Sequence, residues 1–197
     1  MSTASDVSSE DVLRANLYRM LAHVLRAPPQ RTDLELFASM GGDGTPLGKA
    51  MGSLAHLSRR MSPEAADREY HVLFIGIDGG ELLPYGSHYR SGLAQTDPLA
   101  HLQGDMERLG IVRSAETQHD EDHIAALCEM MAGLILGHFG EPAPIEEQRA
   151  FFRSHIGSWA GRFFADLQGA RASILYAAVG NVGAVFMEIE EAAFDMA

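Results

Sequence analysis

Cysteine is almost missing from this chain: one residue, Cys128, among 197. No internal disulfide can form, so an apolar core must carry the fold, and nothing calls for an oxidising compartment. Cys128 lies in an apolar stretch, which marks a buried structural thiol rather than a reactive one. Basic residues are scarce as well. Fifteen Lys and Arg stand against 27 Asp and Glu, a net charge of −12. That balance excludes a nucleic-acid-binding face, because a phosphate backbone needs cations to neutralise it. The same acidity promotes solubility and would attract a basic segment of a partner.

Long apolar runs are missing too. The stretch from Ile174 to Phe186 is interrupted by Gly180, Asn181 and Gly183, so no membrane span is expected. The opening MSTASDVSSEDVLR has neither the basic start nor the apolar core of a signal peptide. The protein is therefore expected in the cytoplasm. Strand alternation, repeats of fixed period and a heptad seam are all absent.

What is present is helical periodicity in an all-α pattern. Hydrophobic residues make up 46% of the chain, enough for one domain over 1–197, or two packed lobes with a hinge between 76–95 and 115–120. After Ser8 and Ser9, one helical face carries Val12, Leu13, Leu17, Met20, Leu21, Val24 and Leu25, until Pro28 and Pro29 end the helix. Shorter helices are expected over 33–40 and 46–60. Ser62-Pro63-Glu64 is a start signal: hydroxyl cap, proline at the first position, acid in the first turn. That helix should reach Phe74. Residues 76–92 hold five glycines and Pro84 and predict a long ordered loop. Helix resumes over 97–109 and again from about Asp120. A further helix from Glu146 buries Phe151, Phe152, His155, Ile156, Trp159, Phe163 and Leu167. The last, from about Arg171, buries Ile174, Leu175, Ala178, Val182, Val185, Phe186 and Ile189.

Three kinds of chemistry are weighed and set aside. Gly48-Lys49-Ala50 lacks the spacing of a phosphate loop and has Ala50 where Ser or Thr would hold magnesium. His119 and His123 stand four apart, but Asp120 replaces the Glu of a zinc-protease helix, and the acids read better as a helix start. Ser87 and His88 are neighbours without a nucleophile elbow. The expectation is no catalytic residue and no metal ligand.

A recognition cluster remains. Tyr70, Phe74, Leu82, Leu83, Tyr85 and Tyr89 flank or occupy the loop, beside Glu69, Asp78, Glu81 and Asp120 to Asp122. An apolar wall with acids suits an apolar peptide with a basic end. Phe74, Leu82 and Tyr89 could equally anchor the loop to the core. His123 could tune binding with pH, or fix the loop by a hydrogen bond.

The order of three segments carries a resemblance. Glu69 to Gly76 (EYHVLFIG) leads into Leu83 to Tyr89 (LPYGSHY). Then come Glu121-Asp122-His123-Ile124 and Phe151 to Leu167 (FFRSHIGSWAGRFFADL). This pattern resembles the TorD, DmsD and NarJ family of chaperones for molybdoenzyme maturation, from about Val12 to near the end. The resemblance implies an all-helical, non-catalytic, cytoplasmic protein. It would bind the twin-arginine leader, or the body, of a molybdopterin oxidoreductase precursor and hold it until cofactor insertion. The site it implies comprises Phe74, Pro84, Tyr85, Ser87, Tyr89, Asp122 and His123. It implies no resident cofactor, with weak GTP binding at most, and a monomer or a domain-swapped dimer. Gly86 stands where the family carries an acid, leaving Asp78, Glu81 or Asp122 to receive a leader arginine. The rival readings are a non-catalytic helical subunit of a larger complex and a weak nucleotide-binding protein.

Overall fold

The computed structural model describes residues 7–76, 79–90, 97–112 and 120–197. Among them the regular structure is helical, and the extended pairing is a single isolated bridge between Tyr85 and His123. No described helix is long and apolar enough to cross a membrane.

Local chemistry explains most starts. The helix α1 (Ser9–Arg26) begins where Ser8 Oγ accepts from Asp11 N at 3.0 Å, with Glu10 and Asp11 at the positive end of the helix dipole. After α2 (Arg31–Ser39), Thr45 caps α3 (Pro46–Ser58) by accepting from Gly48 N. Ser62 caps α4 (Pro63–Tyr70) by accepting from Ala65 N, as Ser62-Pro63-Glu64 predicts. The helix does not run on as α to Phe74. It widens into a π turn over His71–Ile75.

Within the predicted loop lies a four-residue helix, α5 (Gly86–Tyr89). Asp97 caps α6 (Pro98–Arg108). Next comes α7 (Ile124–Leu136), later than the Asp120 start expected, because His123 and neither aspartate provides its cap. α8 (Ile145–Phe152) gives way to a second π turn, Arg153–Gly157, then α9 (Ala160–Gly169) and α10 (Leu175–Met196).

The chain divides into two compact units. The first comprises residues 1–23, 85–159 and 193–197; the second comprises 24–84 and 160–192. The first unit is centred on α7, where Ile124, Leu127, Cys128, Met131 and Ile135 are buried with Phe151, Phe152 and Ile156. Burial pushes the Cys128 thiol well above its ordinary value, with the Glu129 charge adding to it, so the thiolate is suppressed. The second unit is centred on α9 and α10, where Phe163, Phe164, Leu167, Tyr176, Val179 and Phe186 are buried.

All seven residues expected to be buried from Phe151 to Leu167 are buried. Four other core assignments fail: Val12, Leu13, Ile174 and Ile189 are exposed. Val12 and Leu13 sit near the start of α1, and the buried residues of that helix begin only at Ala15. Ile174 precedes the first turn of α10, and Ile189 lies beside the buried line Val182–Phe186–Glu190 rather than on it.

Candidate functional site

The first unit assembles most of the predicted site around α5. Four residues cannot hold a helix by themselves, and here the support comes from 35 residues further along the chain. Asp122 is buried, and its carboxylate accepts from Ser87 N at 2.6 Å while its carbonyl accepts from Gly86 N at 3.0 Å. An anion placed against the first N–H groups satisfies donors that would otherwise be orphaned. The bridge between Tyr85 and His123 extends the same join, and their rings meet edge to face at 5.1 Å. His123 Nδ1 accepts from Ala125 N at 3.1 Å, so the ring caps α7 and carries no proton on that nitrogen.

The other side of α5 rests on the second π turn. Tyr89 stacks on Trp159 with centroids 5.5 Å apart and planes 27° from parallel. The indole donates from Nε1 to the His155 carbonyl at 2.7 Å. Arg90 donates to the Ser154 carbonyl at 2.8 Å. Ser87 and His88 are exposed, Tyr85 and Tyr89 are half-buried, and Pro84 is buried. Burial, reinforced by the charges of Asp120 and Asp122, raises the Tyr85 phenol above its ordinary value, so it stays protonated and can donate.

The glycine at position 86 stands tight against Trp159. A Cβ there would stand 3.2 Å from Trp159 Nε1 and 3.3 Å from Cε2. Substitution of Gly86 with Ala is therefore expected to push the indole by a few tenths of an ångström and cost up to about 1 kcal/mol. Urea unfolding measures that loss. Trp159 is the one tryptophan of the chain, so its emission reports the displacement directly.

Two acids offered as partners for a leader arginine are already engaged. Asp122 holds Ser87 N, and Glu81 accepts from Arg171 N at 2.7 Å in the second unit. Asp78 lies outside the described residues, as does His119. Asp120 is exposed and close enough to Tyr85 to act on its phenol.

Phe74 does not join this arrangement. It belongs to the second unit, where its ring meets Tyr70 at 5.1 Å and Tyr176 at 5.4 Å. The phenols of Tyr70 and Tyr176 donate to the Arg26 and Val24 carbonyls. Glu69, the first residue of the EYHVLFIG segment, accepts from the amides of Ile174, Leu175 and Tyr176. This segment thus holds the start of α10, a role that the spacing alone does not reveal. Trp159, read from the sequence as core, is the floor under Tyr89.

Residues 41–165 match the family described as nitrate reductase delta subunit. That range contains α5, Asp122, His123 and Trp159. A curated relative, the chaperone protein TorD of Aliivibrio salmonicida (strain LFI1238), is 28% identical over 125 residues. The match covers 59% of this chain and 58% of that relative, a little over half of its length. Among solved structures, one described as a candidate redox enzyme maturation protein from Archaeoglobus fulgidus superposes with a TM-score of 0.59 at 18% identity. It covers 89% of this chain and 94% of that one, and the likeness is one of fold.

Proposed function

The chain belongs to the nitrate reductase delta subunit family, and from that premise we propose that it is a non-catalytic maturation chaperone. Its client is the precursor of a molybdopterin oxidoreductase, bound through the twin-arginine leader. The observation that carries this reading is the α5 element. A non-locally braced turn presents Ser87 and His88 outward, between half-buried Tyr85 and Tyr89, within the stretch that matches the family.

Such a surface suits a peptide with a basic start and an apolar core. Tyrosine combines a wide apolar face with a polar tip at little entropic cost, which favours it in binding walls. Asp120 is the acid at hand for a leader guanidinium. Ordering a disordered leader takes back roughly 2–5 kcal/mol, so binding is moderate and releasable, as a holding factor requires.

The test uses tryptophan-free synthetic leaders and the emission of Trp159. A twin-arginine leader should give a saturable change. Asp120→Asn should weaken it by up to about fivefold, the worth of one exposed ion pair near 1 kcal/mol, without altering stability. Tyr89→Ala should abolish the spectral response. Failure of every leader from the same cell's molybdoenzymes to bind, by emission and by calorimetry, would overturn the reading.

A further inference from the structure

Behind the Trp159 floor, the first unit brings together two histidines and an aspartate that the leader site does not use. His101 and Asp105 lie one turn apart on α6, and His155 comes from the second π turn. One ligand atom from each lies within 4.8 Å of the other two. His155 Nε2 is 2.7 Å from Asp105 Oδ2, and His101 Nε2 is 3.7 Å from the same oxygen. Arg108 engages the other oxygen, Oδ1, at 3.1 Å, and is itself paired with Glu147 at 2.7 Å.

We infer that His101, Asp105 and His155 form a binding site for a divalent transition-metal cation of the zinc class. Two imidazoles and one carboxylate are the donors such an ion prefers over magnesium or calcium. Tetrahedral zinc with bonds near 2.0–2.1 Å sets its ligand atoms about 3.3 Å apart. Reaching that from 2.7 and 3.7 Å, with all three atoms within 4.8 Å, takes side-chain shifts of about half to one and a half ångström. Two further features fit. Arg108 holds Asp105 by Oδ1, which leaves Oδ2 aimed between the rings. The His101 side chain is 52% exposed and gives a cation a route in, while that of His155, at 2%, fixes the inner wall. On binding, the ring proton of His155 moves from Nε2 to Nδ1, and water takes the remaining position.

The site would clamp α6 to the turn whose Ser154 and His155 carbonyls receive Arg90 and Trp159. A bound ion would therefore stiffen the floor beneath α5.

The experiment titrates the full chain with Zn2+ against a chromophoric chelator, and with Co2+ followed by its visible ligand-field absorption. One equivalent should bind, with nitrogen–oxygen coordination. His101→Ala, at an exposed position, should keep the fold and lower affinity on the order of tenfold or more. His56→Ala, an exposed histidine in the other unit, should change nothing. Zinc should raise the melting temperature and shift the Trp159 emission of the parent, and do neither in His101→Ala. Equal affinity in parent and His101→Ala, or no stoichiometric binding, would overturn the site. In that case the three side chains are a structural ion-pair network. Asp105→Asn gives the second check should the first variant aggregate: loss of the cobalt spectrum is expected, and an unchanged spectrum counts against the proposal.

Discussion

Glu69→Ala is expected to destabilise the protein by about 3–5 kcal/mol, a large fraction of the total stability of a marginally stable domain. The carboxylate lies at the end of α4, yet it accepts from Ile174 N at 2.7 Å, Tyr176 N at 2.8 Å and Leu175 N at 3.2 Å. These are the donors that the start of a helix leaves without intrahelical partners. Leu175 and Tyr176 are fully buried, so water cannot replace the lost acceptor. Each orphaned buried donor costs about 1–3 kcal/mol, and the negative charge facing the helix dipole is lost as well. Glu69→Gln should fall between parent and alanine, because an amide oxygen still accepts while the charge is gone. Glu81→Ala removes a similar pair of bonds, to Arg171 N and Ala172 N, at an exposed position. Water can substitute there, so a loss within about 1 kcal/mol is expected. Urea unfolding checks the order of the three variants. Amide exchange at 174–176 should accelerate in Glu69→Ala before it does elsewhere. Equal losses for Glu69→Ala and Glu81→Ala would show that burial is not what makes Glu69 important.

The Glu69 contact also shows which parts of the fold the sequence could reveal. Signals that act over one turn were legible. Ser62 and Pro63 mark the start of α4, and the 3.6-residue spacing from Phe151 to Leu167 identifies a buried face. Features made by residues far apart were not. α5 has no helix signal of its own, since its cap is a carboxylate 35 positions away. The two π turns, 71–75 and 153–157, sit inside what reads as continuous helix. Neither has a proline or glycine pair to announce it, and His155 and Trp159 acquire their roles only because the turn widens there.

For the candidate site the division is similar. The motif residues Tyr85, Ser87, Tyr89, Asp122 and His123 do come together, although the short spacing between Asp122 and His123 hides their different jobs. Asp122 braces α5 and His123 caps α7. Phe74 is adjacent in the motif but belongs to the other unit. The pair His101 and Asp105 has a visible spacing of four, yet nothing local links it to His155, 50 residues later. Gly86 is the instructive departure. The missing side chain looks like the loss of a functional acid, while a Cβ at that position would press on the Trp159 indole.

Gly183 carries the second large effect, and its sign is the decisive part. In an open helix position Gly→Ala stabilises by up to about 1 kcal/mol, because the backbone entropy lost on folding is smaller. Gly161 in α9 is such a position: a Cβ there meets nothing within 4 Å, and Gly161→Ala should raise stability by about that amount. At Gly183 a Cβ would lie 2.3 Å from Phe164 Cδ1 and Cε1, and at Gly180 it would lie 2.8 Å from the Phe164 carbonyl oxygen. These two glycines, three apart on α10, let α9 approach where any side chain would hold it off. The Phe164 ring is fully buried and 5.2 Å from that of Phe163, so it has little room to turn aside. Gly183→Ala should therefore destabilise by about 1–3 kcal/mol despite its better helix propensity, and Gly183→Val by more. Pairing Gly183→Ala with Phe164→Leu should recover part of the loss, since the two changes share one space and cannot be additive. Stabilisation by Gly183→Ala, or strict additivity with Phe164→Leu, would mean that α9 and α10 are not packed through these glycines.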